Sequence, residues 1–526
     1  MAELVQPFTE ENFYSALENR FVSKVEVRRH RHARYLYGYL TDLEAKSLVV
    51  ESPYTDGDFL DDYAAYYAKC YTDYPRRCSR IHFFRRAVSE EEFYGLLIKD
   101  LEENERIALC SEYLGFIVVR PLPQAIIGRT VLRTYSRDSG RRNYECVRRY
   151  PVNLFGLPLQ INGLAFQEQD TVLAACATCA LWSAFHKMAD LFGTPIPTPA
   201  AITSQATQSG HLGRPTPQHG LRIEQMCDGI RAVGLEAEVL DFRKDIQEQH
   251  APPLSLMYSY LRMGLPVILV ADIPDHDLHA ITLTGFSAGS VRVIEKEIPG
   301  DTGIIPLVGL RIDELYGHDD QTGPHARLKV VNDSGSKWCA FRLRSSLPSE
   351  AGGPLIDLAA VVIPVYSKIR LTFLDVLEEV TPLHTVLSRV LPESGEVEWD
   401  LHLILSNHYK KELKSDPSLS SEAKESLLLV HHPRFWWRAV MRVNGRAFCE
   451  VLCDATGIAR SLSVNLIVWK LQAFATQLDK CLADPVKLKS IRGMLKSEHY
   501  LNRLRKSLEH RDQPGQCLSS CPDEQG

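Results

Sequence analysis

The sequence predicts an α+β fold in which helices precede an antiparallel sheet, with a mixed α/β region on each side. Two observations predict this central part. Apolar residues recur at helical spacing over residues 174–192, 221–233 and 254–262, and each stretch is closed by a glycine within two residues. Short apolar stretches of strand length follow. These predicted strands span residues 266–270, 279–284, 291–296, 326–331 and 358–365. Helices and strands in separate blocks are typical of α+β proteins.

The flanking regions carry local signals of both element types. In the first, Ser89 and Glu92 form a capping box that predicts a helix. Residues 113–120 are typical of a buried strand that ends before Pro121, and residues 127–135 alternate as its partner strand would. In the last, Asn444-Gly445 separates two apolar stretches and predicts a β-hairpin. The other elements predicted there are a helix around 374–380, a strand at 399–405 and a long terminal helix at 486–511.

A chain of 526 residues is longer than one hydrophobic core usually serves, so several domains are expected. We place their boundaries at residues 1–160, 161–370 and 371–526. The first and last are mixed α/β regions, and the middle one contains the helices and the antiparallel sheet described above.

Composition indicates an ordinary globular protein of the cytoplasm. Apolar residues make up 45% and charged residues 24%, and the net charge of -6 argues against bulk binding of nucleic acid. The opening residues show no signal peptide, and the longest apolar runs fall short of the roughly 20 residues of a membrane span. Thirteen scattered cysteines suit a reducing compartment better than a disulfide framework. No phosphate-binding or zinc motif is evident, so we expect neither cofactor nor metal.

The central region carries the residue types of a thiol enzyme in one order along the chain. Gln169 precedes Cys176, which lies at a predicted helix start; His279 begins a predicted strand; Asp319 and Asp320 lie in a polar turn. A helix N-terminus and a nearby imidazolium both favour the reactive thiolate of a cysteine. The histidine would take and return the proton, an aspartate would orient the imidazole, and a glutamine amide would stabilise the oxyanion.

This pattern resembles the papain-like cysteine peptidases, and most closely the bacterial branch that trims double-glycine leader peptides. The resemblance covers residues 161–370, and neither flank resembles a known family. The matching features are Gln169, the run Cys-Ala-Thr-Cys-Ala-Leu-Trp at 176–182, the run Gly-Leu-Pro-Val-Ile at 264–268, His279, and Asp319 or Asp320. Departures are Ala177, where that branch usually has glycine, and a longer histidine-to-aspartate step, which the predicted strand at 291–296 would fill.

The resemblance implies a papain-like core and a catalytic set of Cys176, His279, Asp319 and Gln169. Two assignments stay open. Cys179 is the alternative nucleophile, but its separation from Gln169 is longer than the family shows, whereas that of Cys176 is close to it. Asp320 is the alternative orienting acid, since it directly follows Asp319.

We therefore expect a thiol hydrolase that cleaves a peptide or isopeptide bond of a peptide or protein substrate, without nucleic acid and without a membrane span. One alternative is a deamidase or transglutaminase-like acyl transferase, such as a toxin or defence effector, which would use the same acyl-thioester chemistry. Another is a non-catalytic scaffold with a relict papain-like domain. In either case the flanking regions are candidates for contact with a protein partner.

Two further clusters have simpler interpretations. The basic run Arg-Arg-His-Arg-His-Ala-Arg at residues 28–34 is expected to be a solvated face, with phosphate or nucleic-acid contact as the alternative. His276 and His279, with Asp272, Asp275 and Asp277, are a weak alternative metal-binding set, and we interpret the acids as a loop before a strand.

Overall fold

The structure is a computed structural model that describes residues 4–170, 175–208, 220–243, 252–273, 278–290, 305–331, 339–344, 354–391, 396–457, 464–495 and 498–519. Its fold is α+β with several antiparallel sheets, which confirms the predicted class. The chain divides into two compact units. The first comprises Met1–Asp245, Gly264–Ala288 and Asp313–Tyr366, and the second comprises Ile246–Met263, Gly289–Ile312 and Ser367–Gly526. The domain boundaries proposed at residues 160 and 370 stay predictions.

The chain as far as Tyr366 contributes ten helices and fifteen strands among its described residues. The helices are α1 (Glu10–Ala16), α2 (Lys24–Arg29), α3 (Arg31–Asp42), α4 (Gly57–Ala65), α5 (Glu90–Ile98), α6 (Glu103–Glu112), α7 (Cys176–Phe192), α8 (Pro199–Ala206), α9 (Ile223–Ala232) and α10 (Pro253–Leu261). The strands are β1 (Val5–Pro7), β2 (Ser47–Tyr54), β3 (Cys78–Phe84), β4 (Tyr113–Val119), β5 (Ile127–Leu132), β6 (Arg142–Asn143), β7 (Arg148–Leu154), β8 (Leu157–Gly163), β9 (Leu235–Asp241), β10 (Val267–Asp272), β11 (His279–Ala288), β12 (Ile312–Asp319), β13 (Gly323–Val331), β14 (Ala340–Arg344) and β15 (Leu355–Tyr366).

The first unit contains two main sheets. Strands β1 to β5 form an antiparallel sheet in chain order, and its core includes Phe13, Leu36, Tyr39, Ile81 and Phe83, with α1 and α3 supplying the first three. In the second sheet β10 to β15 also follow chain order, and β15 pairs with β10, so the six strands close on themselves. Strand β9 pairs with residues 360–366 of β15. Because the other five pairs of the closed sheet are antiparallel, β11 and β12 run in opposite directions as well.

The second unit contains the hairpin that the sequence predicts. Its strands are β16 (Val397–Leu405), β17 (Phe435–Val443), β18 (Arg446–Asp454) and β19 (Val464–Trp469), which form one antiparallel sheet in chain order. Asn444 and Gly445 both have positive φ, 49° and 77°, as the tight turn between β17 and β18 requires. Its helices after α10 are α11 (Phe373–Ser388), α12 (Ser406–Ser415), α13 (Ser421–Leu429), α14 (Gln472–Ala483), α15 (Pro485–Arg492), α16 (Glu498–Glu509) and α17 (Gln516–Ser519).

Several element predictions need correction. The prediction of a single helix over residues 486–511 is wrong: α15 ends at Arg492, with Gly493 as its C-cap, and α16 begins at Glu498, because glycine is a weak helix former. Strand β12 is absent from the prediction, since the residues that end it are polar. The strand predicted at 291–296 lies outside the described residues. No helix among the described residues is both long and apolar enough to cross a bilayer.

Candidate active site

Cys176 is the first residue of α7, as the sequence predicts. Ala175 before it has extended backbone geometry, and Gly193 closes the helix in the left-handed conformation. The helix is buried over most of its length, whereas Cys176 itself is only half-buried. The thiol therefore lies where the helix dipole is most favourable to negative charge and where a substrate can reach it.

His279 and an aspartate lie at the same end of two neighbouring strands of the closed sheet. His279 is the first residue of β11 and Asp319 is the last of β12. Because the two strands are antiparallel neighbours, the first residue of one lies close to the last residue of the other. The His279 Nε2 atom lies 2.8 Å from Asp319 Oδ1 and 3.6 Å from Asp320 Oδ1. Asp319 is therefore the direct hydrogen-bond partner, while Asp320 is a more distant neighbour.

The Cys176 thiol lies close enough to the His279 ring to raise the pKa of the imidazole. Because Nε2 faces the Asp319 carboxylate, we infer that Nδ1 is the ring nitrogen that serves the thiol. The structure thus brings Cys176, His279 and Asp319 together in the order nucleophile, base and orienting acid, although they are 103 and 40 residues apart along the chain. Geometry of this kind defines a catalytic triad better than sequence position does.

The electrostatics of the His279–Asp319 pair favour an imidazolium beside a carboxylate. Burial alone would lower the pKa of His279, but the Asp319 carboxylate, its hydrogen bond to the ring and the neighbouring Cys176 thiol raise it well above its usual value. Burial would likewise raise the pKa of Asp319, but the His279 charge and hydrogen bonds from His279, Thr322 and Gln321 hold it well below its usual range. Asp319 is thus equipped to stabilise a positive charge on the ring.

Cys179 has the opposite character. It is buried, and burial followed by the negative charges of Asp320 and Asp170 raises the pKa of its thiol well above the usual value. Thiolates are the reactive form, so Cys179 is an inert core residue in this structure. Between the two predicted candidates, the geometry favours Cys176.

Asp320 is a buried acid with neither carboxylate oxygen hydrogen-bonded among the described residues. Burial raises its pKa to about 7, and the Asp319 charge adds to this while His279 and His32 oppose it. In the folded chain Asp320 therefore holds a proton between about pH 4 and pH 7 that the unfolded chain has lost. Raising the pH through that window destabilises the folded state.

The Asp320→Asn substitution is expected to stabilise the fold more at pH 8 than at pH 5. Asparagine has no proton to lose, and the difference between the two pH values is about 2–3 kcal/mol in the free energy of unfolding. Urea unfolding of wild type and variant at both pH values measures it. An equal effect at pH 5 and pH 8 would show that the Asp320 carboxyl is not perturbed by burial.

Thr282 links the cysteine helix to the histidine strand. It is fully buried on β11, and its hydroxyl donates a hydrogen bond of 2.7 Å to the Ala180 carbonyl oxygen of α7. This contact lies one turn along the helix from Cys176 and three residues along the strand from His279. It therefore fixes the helix against the strand close to the two reacting groups.

The Thr282→Val substitution is expected to lower the rate of peptide hydrolysis by more than the loss of folded protein would explain. Valine keeps the shape but loses the hydrogen bond, at a cost on the order of 1 kcal/mol in stability. A displacement of about 1 Å between reacting groups can lower a rate by about 100-fold. The matched control is Thr284→Val, which removes a buried hydroxyl of the same strand that bonds Tyr316 and His325 instead of α7. Equal losses of activity in the two variants would exclude a positioning role for Thr282.

Gln169 lines a cavity that reaches Asp320, the neighbour of the triad residue Asp319. The cavity has a volume of about 590 Å³, and its lining includes Gln124, Glu168, Gln169, Asp170, Asp320 and Gln321. Gln169 is half-buried there, while the chain between it and Cys176 at residues 171–174 lies outside the described residues. The structure thus places Gln169 in the same cavity wall as Asp320, and its role as oxyanion donor stays a prediction.

Residues from α3 hold the turn that carries the candidate acids. His32 Nε2 lies 2.8 Å from the Asp320 carbonyl oxygen, Arg31 donates to the Thr322 hydroxyl, and the Tyr35 hydroxyl donates to the Pro324 carbonyl. Gly323 has φ of 154° and lies against the Tyr35 ring, where a Cβ would collide. Sequence reasoning missed these residues, because they are about 290 positions from the turn and no local pattern links them.

The interpretation of residues 28–34 as a solvated face is wrong for its histidines. His32 is buried and His30 is half-buried, and their ring nitrogens each lie 3.1 Å from Glu168 Oε1. Burial would raise the pKa of Glu168, but the two histidines hold it well below its usual range. An apolar helix face explains the burial, because His32 is followed by Ala33, Tyr35 and Leu36, which are also buried.

Within the described part of the chain, two groups of side chains bring donor atoms close enough to hold a cation: His279 with Asp319 and Asp320, and His30 with His32 and Glu168. In the first group, the neighbouring Cys176 thiol also raises the pKa of His279, which fits proton transfer. The alternative metal set around His276 falls largely on residues 274–277, outside the described residues.

Comparison of the sequence with models of known protein families finds no match, and comparison with curated proteins finds none either. Evidence for the function of this protein therefore comes from the geometry of the site and the chemistry of its residues.

Proposed function

We propose that this protein is a thiol hydrolase that cleaves a peptide or isopeptide bond through Cys176, His279 and Asp319. The observation that carries the proposal is the hydrogen bond between the His279 ring and the Asp319 carboxylate, with the Cys176 thiol close enough to the ring to raise its pKa. A half-buried thiol at a helix start, beside a buried imidazole with an acid behind it, has the arrangement that nucleophilic catalysis by cysteine requires.

In the proposed reaction the Cys176 sulfur attacks the scissile carbonyl carbon, and the proton of the thiol passes to His279. The tetrahedral oxyanion is stabilised by the Gln169 amide and the backbone N–H of Cys176. Collapse of this intermediate breaks the C–N bond, and His279 gives its proton to the leaving amine. His279 then takes a proton from water, which attacks the thioester and releases the carboxylic acid and the free thiol. Asp319 holds the ring in place throughout.

The arrangement of the elements supports the proposal of a papain-like core. Helix α7 packs on β11, so a cysteine at the start of a helix meets a histidine and an aspartate on two neighbouring antiparallel strands. The order of cysteine, histidine and aspartate along the chain agrees with the leader-peptidase resemblance. The cavity that reaches Asp320 is large enough for one or two amino-acid side chains of a substrate.

The test is digestion of a peptide library by the full chain, followed by mass spectrometry. Hydrolysis produces two fragments whose masses sum to that of the substrate plus one water. Deamidation instead leaves the peptide intact and about one mass unit heavier, and transglutamination joins two molecules. Fragments that appear with wild type and not with Cys176→Ala support the proposed function, whereas a mass shift without cleavage would favour acyl transfer or deamidation.

A further inference from the structure

His30, His32 and Glu168 converge at the cavity wall from two distant parts of the first unit. His30 caps the N-terminus of α3, His32 is on its first turn, and Glu168 follows β8. The His30 Nε2 and His32 Nδ1 atoms each lie 3.1 Å from Glu168 Oε1. The Gln124 carbonyl oxygen lies 3.0 Å from the same His30 nitrogen. The three side-chain donor atoms all lie within 4.8 Å of one another, and the Gln124 oxygen lies beside one of them.

We propose that His30, His32 and Glu168, with the carbonyl oxygen of Gln124, bind one divalent first-row metal cation such as zinc. Two imidazoles and a carboxylate are a frequent donor set for zinc, with bonds of about 2.0–2.2 Å. A tetrahedron with such bonds has edges of about 3.3 Å. The three known separations between neighbouring donor atoms, 3.0, 3.1 and 3.1 Å, are close to this edge, and the three side-chain donor atoms lie within 4.8 Å of one another.

The surroundings orient the ligands as metal sites require. The second nitrogen of His32, Nε2, lies 2.8 Å from the Asp320 carbonyl oxygen. With Nδ1 on the metal, Nε2 carries the proton and donates to this oxygen, which is the usual arrangement of a metal-binding histidine. The second carboxylate oxygen of Glu168 accepts a hydrogen bond of 3.0 Å from the Ile127 amide, which leaves Oε1 for the cation.

The alternative is that protons, without a metal ion, hold these three side chains together. Both ring nitrogens of His32 face oxygen atoms, one from Glu168 and one from Asp320, so a neutral ring satisfies only one of them. Without a cation, a neutral His32 leaves one of these two contacts without a hydrogen bond. With a cation, a neutral His32 satisfies both contacts. The cavity of about 590 Å³, lined by all three residues, provides an entry path for the metal.

The experiment is a titration of the full chain with zinc chloride against a competing chelator, with metal content measured after desalting. We expect one zinc ion per chain at this site. The His32→Gln and Glu168→Gln variants should each bind it at least tenfold more weakly, whereas the control variants His408→Gln, at an exposed position on α12, and Asp319→Asn, at the other cation-sized cluster, should bind it as wild type does. Circular dichroism establishes that each variant is folded.

X-ray absorption at the zinc edge of the wild-type protein decides the ligands without any substitution. We expect only nitrogen and oxygen neighbours at about 2.0–2.1 Å, with the outer-shell scattering of two imidazoles. A sulfur neighbour at about 2.3 Å would place the zinc on a cysteine and overturn the inference. Wild-type affinity in the His32 and Glu168 variants, or no retained zinc in the wild type, would overturn it as well. Because peptide hydrolysis is not a readout, this test does not depend on the proposed function.

Discussion

The Cys176→Ala substitution is expected to lower the rate of peptide hydrolysis by a factor on the order of 10⁴ to 10⁶ while the fold survives. Removal of a catalytic nucleophile has an effect of this size, because no acyl-enzyme can form without it. The half-buried position of Cys176 at the start of α7 makes a shortened side chain easy to accommodate. Hydrolysis of a peptide identified from the library, followed by chromatography, measures the rate.

The matched control is Cys179→Ala, which changes the same residue type three positions along the same helix. Because burial keeps the Cys179 thiol protonated and away from solvent, we expect this variant to retain activity within about a factor of five of wild type, less any loss of stability from the small cavity. If Cys179→Ala is the inactive variant and Cys176→Ala is active, the assignment of the nucleophile is wrong.

The Asp319→Asn substitution is expected to lower the rate by about 10²- to 10⁴-fold without removing the fold. An amide at this position neither fixes the reactive tautomer of His279 nor stabilises the imidazolium. The Asp319 carboxylate is also the largest of the groups that raise the His279 pKa. Its removal therefore lowers that pKa, and the alkaline limb of the pH profile of kcat/KM moves to lower pH.

Asp320→Asn distinguishes the two candidate acids. In the wild-type structure the nearest Asp320 oxygen is 3.6 Å from His279 Nε2, compared with 2.8 Å for Asp319. We therefore expect Asp320→Asn to cause a smaller loss of rate and a smaller displacement of the alkaline limb than Asp319→Asn. A larger loss in Asp320→Asn than in Asp319→Asn would make Asp320 the orienting acid. The stability of both variants, measured by urea unfolding at the same pH, corrects for differences in the folded fraction.

Stability provides an independent check on the histidine–aspartate pair. The folded pKa of His279 is raised above its unfolded value of about 6.5. The pair therefore contributes its full stabilisation below that pH, and the contribution is lost as the pH rises through the folded pKa. The Asp319→Asn variant should lose most stability between about pH 5 and about pH 6, where both charges are present in full, and least at strongly alkaline pH.

The parts of the fold that local chemistry determines were predictable from the sequence. Cys176 begins α7 and Gly193 ends it, because apolar residues at helical spacing lie between an extended residue and a left-handed glycine. Asn444-Gly445 identifies the β17–β18 hairpin, since both residues tolerate positive φ. The position of His279 at the head of β11 follows from the apolar stretch after it.

The features that depend on distant contacts were not predictable. Nothing local shows that His30 and His32 are buried beside Glu168, because the basic residues around them are typical of a solvated surface. The end of β12 carries polar residues of the candidate site, so it lacks the alternating pattern of a half-buried strand. The close contact between the His279 ring and Cys176 requires the closed sheet, whose pairing of β15 with β10 links segments about 90 residues apart.

The most direct test of the account is the rate at which iodoacetamide alkylates each cysteine of the wild-type protein at pH 6, measured by peptide mass spectrometry. If His279 and the start of α7 activate the sulfur of Cys176, this residue reacts many times faster than the half-buried Cys70, and the advantage disappears in His279→Ala. Equal alkylation rates at Cys176 and Cys70, or an advantage that survives in His279→Ala, would contradict the account.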